Sequence, residues 1–381
     1  MWKRMLLWLC AAAVLFAVLP PVHGAELEVA APSAILMEAA TGTVLWEKNA
    51  HERLAPASVT KIMTLLLVME ALESGRISWD DTVIASDFAA AKGGSQVYLE
   101  AGEQMTMDEM LKSVVVSSAN DCATALAEHI AGSEAAFVEM MNRRAEELGM
   151  KNTHFVNCTG LDDDPNAAEH LTTAHDIALM SRALLAHDAI RKYTTIWMDT
   201  VRNGAFGLSN TNKLVRFYSG TTGLKTGYTS GAGHCLSASA MREGIEFIAV
   251  VLNCKSSNER FQSAKQLLDH GFANYALVRP QADAEIPSVA VTLGKEPSIV
   301  PVPASMDPVL VEKSKKNAVT VRVETTQAVK APVEPGQRLG TMTLQAGEQT
   351  LAEIPLVAPA PVEKRGWWDI TMELWRHICF G

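Results

Sequence analysis

No C-x-x-C pair and no Cys/His cluster occurs in the 381 residues, so nothing in the sequence proposes a metal site. Cysteine itself is sparse. Of six, Cys10 lies in an apolar N-terminal run, leaving Cys122, Cys158, Cys235, Cys254 and Cys379. An odd number at scattered spacings is no disulfide framework. Most of these side chains read as small buried hydrophobes, and a Cys235–Cys254 pair is conceivable. Basic charge is also short: 33 Lys and Arg against 43 Asp and Glu give a formal net charge of −10. Nucleic-acid binders carry basic patches, so no nucleic acid is expected as a partner. Two apolar stretches, one at each end, are both too short for a membrane span.

What is present suits a globular protein with a real core: 48% apolar and 20% charged residues, at a length that favours two domains. The first 24 residues stand apart. Lys3 and Arg4 form a positive start, Met5 to Leu19 an apolar run, and Pro20-Pro21 break it before Val22-His23-Gly24. That is the pattern of a signal peptide, and the protein is expected to be exported. Losing Lys3 and Arg4 takes the charge from −10 to −12.

From about Ala31 to Ala276, helical and strand patterns alternate. Ala34–Glu38 and Thr43–Trp46 flank Ala40-Thr41-Gly42 as a hairpin. A helix is predicted over 57–73, apolar on more than one side and therefore buried centrally. Thr106-Met107-Asp108-Glu109 is a capping box opening a helix towards Val116, and Thr173 heads another to Leu185. Further helices are predicted over 121–130, 133–148 and 258–275, and strands over 222–228, 235–241 and 247–252. This order implies an α+β fold, a helix-covered antiparallel sheet over residues 25–278. Residues 279–358 hold short β-rich runs punctuated by proline and glycine, and read as a small all-β sandwich. Residues 359–365 read as a linker. Residues 366–381 form an amphipathic stretch with Trp367, Ile370, Leu374, Trp375 and Ile378 on one side, suited to a membrane surface.

Three short motifs carry the chemistry. Ser58-Val59-Thr60-Lys61 is an S-x-x-K tetrad, in which residues three apart on a helix face the same way. A lysine amine can then take the proton of a serine hydroxyl, provided its pKa falls through burial and a second cation. Lys225 is the candidate for that cation. The N–H of Ser58, in the first turn, can help hold an oxyanion. Ser118-Ala119-Asn120 falls in a break between helices, where the hydroxyl can relay a proton and the amide can hold a substrate amide. Lys225-Thr226-Gly227 lies in a strand. Its ammonium and hydroxyl can bind a terminal carboxylate, and Gly227 would let a substrate backbone approach the strand edge. Each motif alone is common. Their order, 60 and then 107 residues apart, is what gives them weight.

With these motifs the chain resembles the low-molecular-mass penicillin-binding proteins, serine-type D-alanyl-D-alanine carboxypeptidases with a β-lactamase/transpeptidase-like fold. The resemblance extends to Pro56–Thr64, to Phe155–Leu161, to His170–Ala174 and to the segment Lys225–Leu236. It implies that Ser58 is the acylated nucleophile, Lys61 its base, and Ser118 a third catalytic group. It also implies that Asn120, Lys225, Thr226, Gly227, Tyr228 and Arg260 bind substrate, with the N–H groups of Ser58 and Tyr228 as the oxyanion hole. The implied substrates are peptidoglycan muropeptides ending in D-Ala-D-Ala, with β-lactams as covalent inhibitors and no cofactor. The implied place is the outer face of a bacterial cytoplasmic membrane. Two alternatives stay open on sequence: a class A-like β-lactamase, disfavoured by Ala119 and by the lack of an E-x-x-L-N pattern around Glu169, and a non-hydrolytic wall-binding scaffold.

Overall fold

A computed structural model describes residues 27–163, 165–280 and 285–380. The leader pattern of residues 1–24 lies outside them.

The first part is built on a five-stranded antiparallel sheet. Its strands are β1 (Ser33–Glu38), β2 (Val44–Lys48), β3 (Thr221–Thr229), β4 (Gly233–Arg242) and β5 (Ile245–Cys254), in the order β2-β1-β5-β4-β3. The hairpin β1-β2 closes where the Glu38 carboxylate accepts hydrogen bonds from the N–H groups of Ala40 and Thr41. In β1 and β5 every second side chain turns to the same face. Ile35, Met37, Ile248, Val250 and Leu252 join the helical core on one side, while Ala34, Leu36, Phe247, Ala249 and Val251 pack with Phe261, Leu267 and Leu268 on the other. Both faces are covered, which explains why these strands are apolar without alternation.

The helices of the larger core are α1 (Lys61–Glu73), α2 (Met107–Val116), α3 (Asn120–Ala131), α4 (Glu134–Glu147) and α5 (Ala174–Leu185). Helix α1 is surrounded: of its thirteen residues only Glu70 and Glu73 escape burial. A 3-10 turn, Ala57–Thr60, precedes it, so the predicted single helix over 57–73 is two segments. The Thr106 capping box is present, with Glu109 N–H donating to Thr106 Oγ1 at 3.2 Å. Thr173 caps α5 in the same way. On the opposite face lies α6 (Ser257–Asn274), capped by Ser256.

The chain leaves α6 directly as β6 (Tyr275–Val278). The second part contains β7 (Val289–Thr292), β8 (Ser298–Ile299), β9 (Val302–Pro303), β10 (Val309–Glu312), β11 (Val319–Thr325), β12 (Ala328–Lys330), β13 (Arg338–Ala346) and β14 (Gln349–Val357). These form a three-stranded sheet, β8-β7-β12, and a four-stranded sheet, β9-β14-β13-β11, around two small apolar clusters. Strand β10 pairs antiparallel with β6, tying the two parts together. Residues 359–365 are not a free linker. Val362 is buried and exchanges backbone hydrogen bonds with Val333, and Lys295 N–H donates to Glu363 O at 2.8 Å. Pro359 and Pro361 break the strand pattern, but the apolar Val362 still seeks the core. A final helix, α7, spans Trp367–Phe380. No helix of the described residues is long and apolar enough to cross a membrane.

The described cysteines are free thiols. The conceivable Cys235–Cys254 bridge does not form. Both are buried in neighbouring strands, but the register pairs His234, not Cys235, with Cys254.

Candidate active site

Ser58 and Lys61 leave the 3-10 turn and the first turn of α1 on one side. Lys61 Nζ donates to Ser58 Oγ at 2.9 Å and to the carbonyl of Thr159 at 2.8 Å. The lysine side chain is fully buried, whereas the serine remains partly open. Burial drives the Lys61 pKa down to about 7, against the pull of the nearby Cys158 and Asp121. The dominant cause at Lys61 is desolvation, and the charges of Lys61 and Lys225 oppose each other. Lys225 is buried as well, and it is held well below the ordinary lysine range first by burial and then by the charges of Lys61 and Arg260. Two amines in one dry site resist being charged together.

The turn that carries Ser58 is locked from below. Ala57 has φ 47°, and its carbonyl accepts from Thr60 Oγ1 at 2.8 Å. Thr60 has one proton to give, so His170 Nε2, 2.8 Å from the same oxygen, donates to it. His170 Nδ1 in turn accepts from Val156 N–H. Nothing in the sequence spacing marks Thr60 and His170 as partners. They are 110 residues apart.

Strand β3 closes one side. Gly227 lies against the Ser58 turn, where a Cβ would stand 2.6 Å from Pro56 O and 3.0 Å from Ser58 N. The missing side chain therefore makes room for the protein's own serine segment. In sequence the same gap reads as room for a substrate backbone; in the fold it also faces the Ser58 turn. Lys225 Nζ donates to Thr226 O, and Thr226 Oγ1 to Thr211 Oγ1 at 2.7 Å. Thr211, which the sequence did not single out, ties β3 to the end of α2 through its N–H to Val116 O. Tyr228 is exposed at the mouth, its ring stacked 4.4 Å from that of His234. Arg260 comes from α6 behind the sheet and donates to Gly227 O and Cys235 O, so it buttresses the strand while adding positive charge.

The third side is the break between α2 and α3. Ser118 sits there at φ 64°, a conformation that costs a non-glycine residue energy and is held by its surroundings. Asn120 opens α3. Its N–H donates to Ser95 O and its Nδ2 to Gly93 O, both at 2.7 Å. Asn120 Oδ1, His234 Nδ1 and Arg260 Nε are buried without a hydrogen-bond partner among the described residues. Buried polar atoms are normally paired, so such orphans are sites a ligand can satisfy. Asp121 is different. Its carboxylate accepts from the N–H groups of Val97, Leu99 and Cys122, which fasten it to the backbone. No group of three metal-binding side chains occurs among the described residues.

A hydroxyl within reach of a buried amine, with a second lysine, an arginine and an unpaired amide oxygen around it, can carry out acyl transfer. Comparison with known proteins agrees. Residues 20–256 match the peptidase S11 family, D-alanyl-D-alanine carboxypeptidase. The chain belongs to this family. Residues 280–364 match the C-terminal domain of penicillin-binding protein 5. The D-alanyl-D-alanine carboxypeptidase DacF of Bacillus subtilis (strain 168) is 42% identical over 348 residues, covering 90% of this chain and 88% of the relative. The crystal structure of penicillin binding protein 5 from Haemophilus influenzae superposes with a TM-score of 0.77 at 30% identity, over 91% of this chain and 100% of the other. Penicillin-Binding Protein D2 from Listeria monocytogenes, solved in an ampicillin-bound form, is 31% identical with a TM-score of 0.59, over 65% of this chain and 99% of the other. The two matches together span most of the helix-covered sheet and the β-rich part that follows it.

Proposed function

We propose that this chain is a serine-type D-alanyl-D-alanine carboxypeptidase that trims the terminal D-alanine from peptidoglycan pentapeptide stems. The 2.9 Å contact between Ser58 Oγ and a fully buried Lys61 amine carries the reading. The neutral amine takes the Ser58 proton as Oγ attacks the carbonyl carbon of the penultimate D-alanine. The N–H groups of Ser58 and Tyr228 hold the oxyanion. The ammonium of Lys61 returns its proton to the leaving amine, with Ser118 as relay, and free D-alanine departs. Water then attacks the Ser58 ester by the same route and releases the shortened stem. Lys225, Thr226 and the charge of Arg260 receive the terminal carboxylate, and Asn120 holds the stem amide.

β-Lactams fit the same serine, and their adduct is expected to persist. A class A-like lactamase needs a carboxylate to activate the deacylating water. Here Asp121 is tied up by backbone N–H groups, and Glu169 stands exposed on a short 3-10 turn. The leader pattern and the family's wall chemistry support export to the outer face of the membrane. Trp367, Trp368, Trp375 and Ile378 of α7 are exposed and suit an interfacial anchor.

Mass spectrometry of purified pentapeptide muropeptides tests the reaction. Loss of one alanine by the unaltered enzyme, and none by Ser58→Ala, is expected. Release that survives Ser58→Ala, or tight wall binding with no release at all, would overturn the assignment.

A further inference from the structure

The side chain of Asn157 is buried and bonded through both its oxygen and its nitrogen. Its Oδ1 accepts from Thr159 N–H at 3.1 Å, from Thr159 Oγ1 at 3.2 Å and from Gly160 N–H at 2.7 Å, while its Nδ2 donates to Leu161 O at 3.0 Å. One amide thus folds residues 157–161 into a closed loop, and that loop presents the Thr159 carbonyl to Lys61 Nζ at 2.8 Å. The loop is fastened on its outer side too. Cys158 O accepts from Thr64 Oγ1 one turn along α1, and Cys158 N–H donates to Glu134. Gly160, at φ 80°, lies so close to the Ser58 turn that a Cβ would stand 1.9 Å from Ala57 O. The loop therefore spans the amine, the helix the amine springs from, and the turn that carries the serine.

A neutral amine offers two N–H bonds and one lone pair. To act as a base its lone pair must face the serine proton. A carbonyl fixed 2.8 Å away takes one N–H and so restricts the amine to two rotations about its Cε–Nζ bond, one of which turns the lone pair to the serine side. Ser58 Oγ, 2.9 Å away, then lies where the lone pair can reach it. We propose that Asn157 is a positioning residue of the reaction: its amide holds the Thr159 carbonyl against Lys61 and so aims the amine at the Ser58 hydroxyl. The inference rests on the assignment of Ser58 as nucleophile and Lys61 as base.

The charged and titratable groups around Lys61 are Asp121 and Cys158, which favour its charged form, and Lys225, which opposes it; Glu134 stands behind Cys158. An aspartate at position 157 would keep all three accepted hydrogen bonds and add an anion on the carbonyl side. It would stabilise the ammonium and so raise the pH at which the base becomes free.

The test is D-alanine release from a pentapeptide, with kcat and KM followed across the Lys61 titration, for Asn157→Asp, Asn157→Ser, Asn157→Ala and the Ser58→Ala control. Asn157→Ala should lose kcat by about 100-fold with KM within about threefold, and Asn157→Ser, which retains one acceptor, should fall between. Asn157→Asp should move the acid limb of kcat/KM up by about one pH unit. A limb that coincides with that of the unaltered enzyme, or a change in KM at constant kcat, overturns the inference. Should the alanine variant not fold, the near-isosteric aspartate decides alone. If Ser58→Ala is inert while the Asn157 variants keep their kcat and their limb, only this inference falls. If Ser58→Ala still releases D-alanine, the assignment beneath it falls first.

Discussion

At the scale of single residues, the site is governed by the burial of Lys61. Its ordinary pKa is 10.5 and here it is about 7. The proposed base is therefore neutral above about pH 7, and kcat/KM should rise as the pH passes through that value and then level off. A profile still climbing steeply near the ordinary lysine pKa would exclude Lys61 as the base. The same shift has a sign for stability. Between the two pKa values the unfolded chain binds a proton that the folded chain does not, so stability rises with pH across that window. Lys61→Met removes a charge penalty of about 4 kcal/mol at neutral pH and leaves the Thr159 carbonyl unpaired at a cost of about 1–3 kcal/mol, so it should stabilise the protein there, with the gain shrinking as the pH nears 10.5. Denaturant titration at two pH values checks this, and an undiminished gain at the higher pH would contradict it.

At the scale of elements, the decisive contact is between strand β3 and the Ser58 turn. Gly227 is legible in sequence as a gap in a strand, but not what fills the gap. That depends on the sheet edge lying against a turn about 170 residues earlier in the chain, at Pro56–Ser58. Gly227→Ala should push this turn outward. Acylation by labelled benzylpenicillin should slow about 100-fold, since displacement of a nucleophile by an ångström is enough for that. Acylation at the normal rate would show that the turn yields without cost. Elements with local signals were readable: the Thr106 capping box, the Thr173 cap, the turn at Gly42, and the buried helix α1 with its unbroken apolar run. Asn157 and Gly160 were visible only as part of a family resemblance. Their chemistry lies in hydrogen bonds that close within the loop and in a contact with Ala57, and neither has a periodic signature.

At the scale of the whole molecule, the two parts share the β6-β10 pairing, and Lys313 adds a bond from its Nζ to Phe272 O at the end of α6. Helix α7 follows a segment docked on the β-rich part, so its exposed tryptophans lie beyond the second part in the chain. Removal of residues 366–381 should release the protein from anionic vesicles in a flotation assay while leaving D-alanine release from soluble pentapeptide within about twofold. Unchanged vesicle binding after the deletion would refute the anchor.

The sequence by itself determined the α+β class, the succession of the two parts, and the three motifs in their order, because capping, apolar patterning and short spacings are local properties of a chain. Only the tertiary structure decided that Lys61 is dry enough to be a base, that Gly227 serves the serine turn, that Asp121 is engaged with backbone, and that the 359–365 segment is docked. Those facts depend on which distant groups exclude water or claim a hydrogen bond, and the chain must close on itself before either can happen.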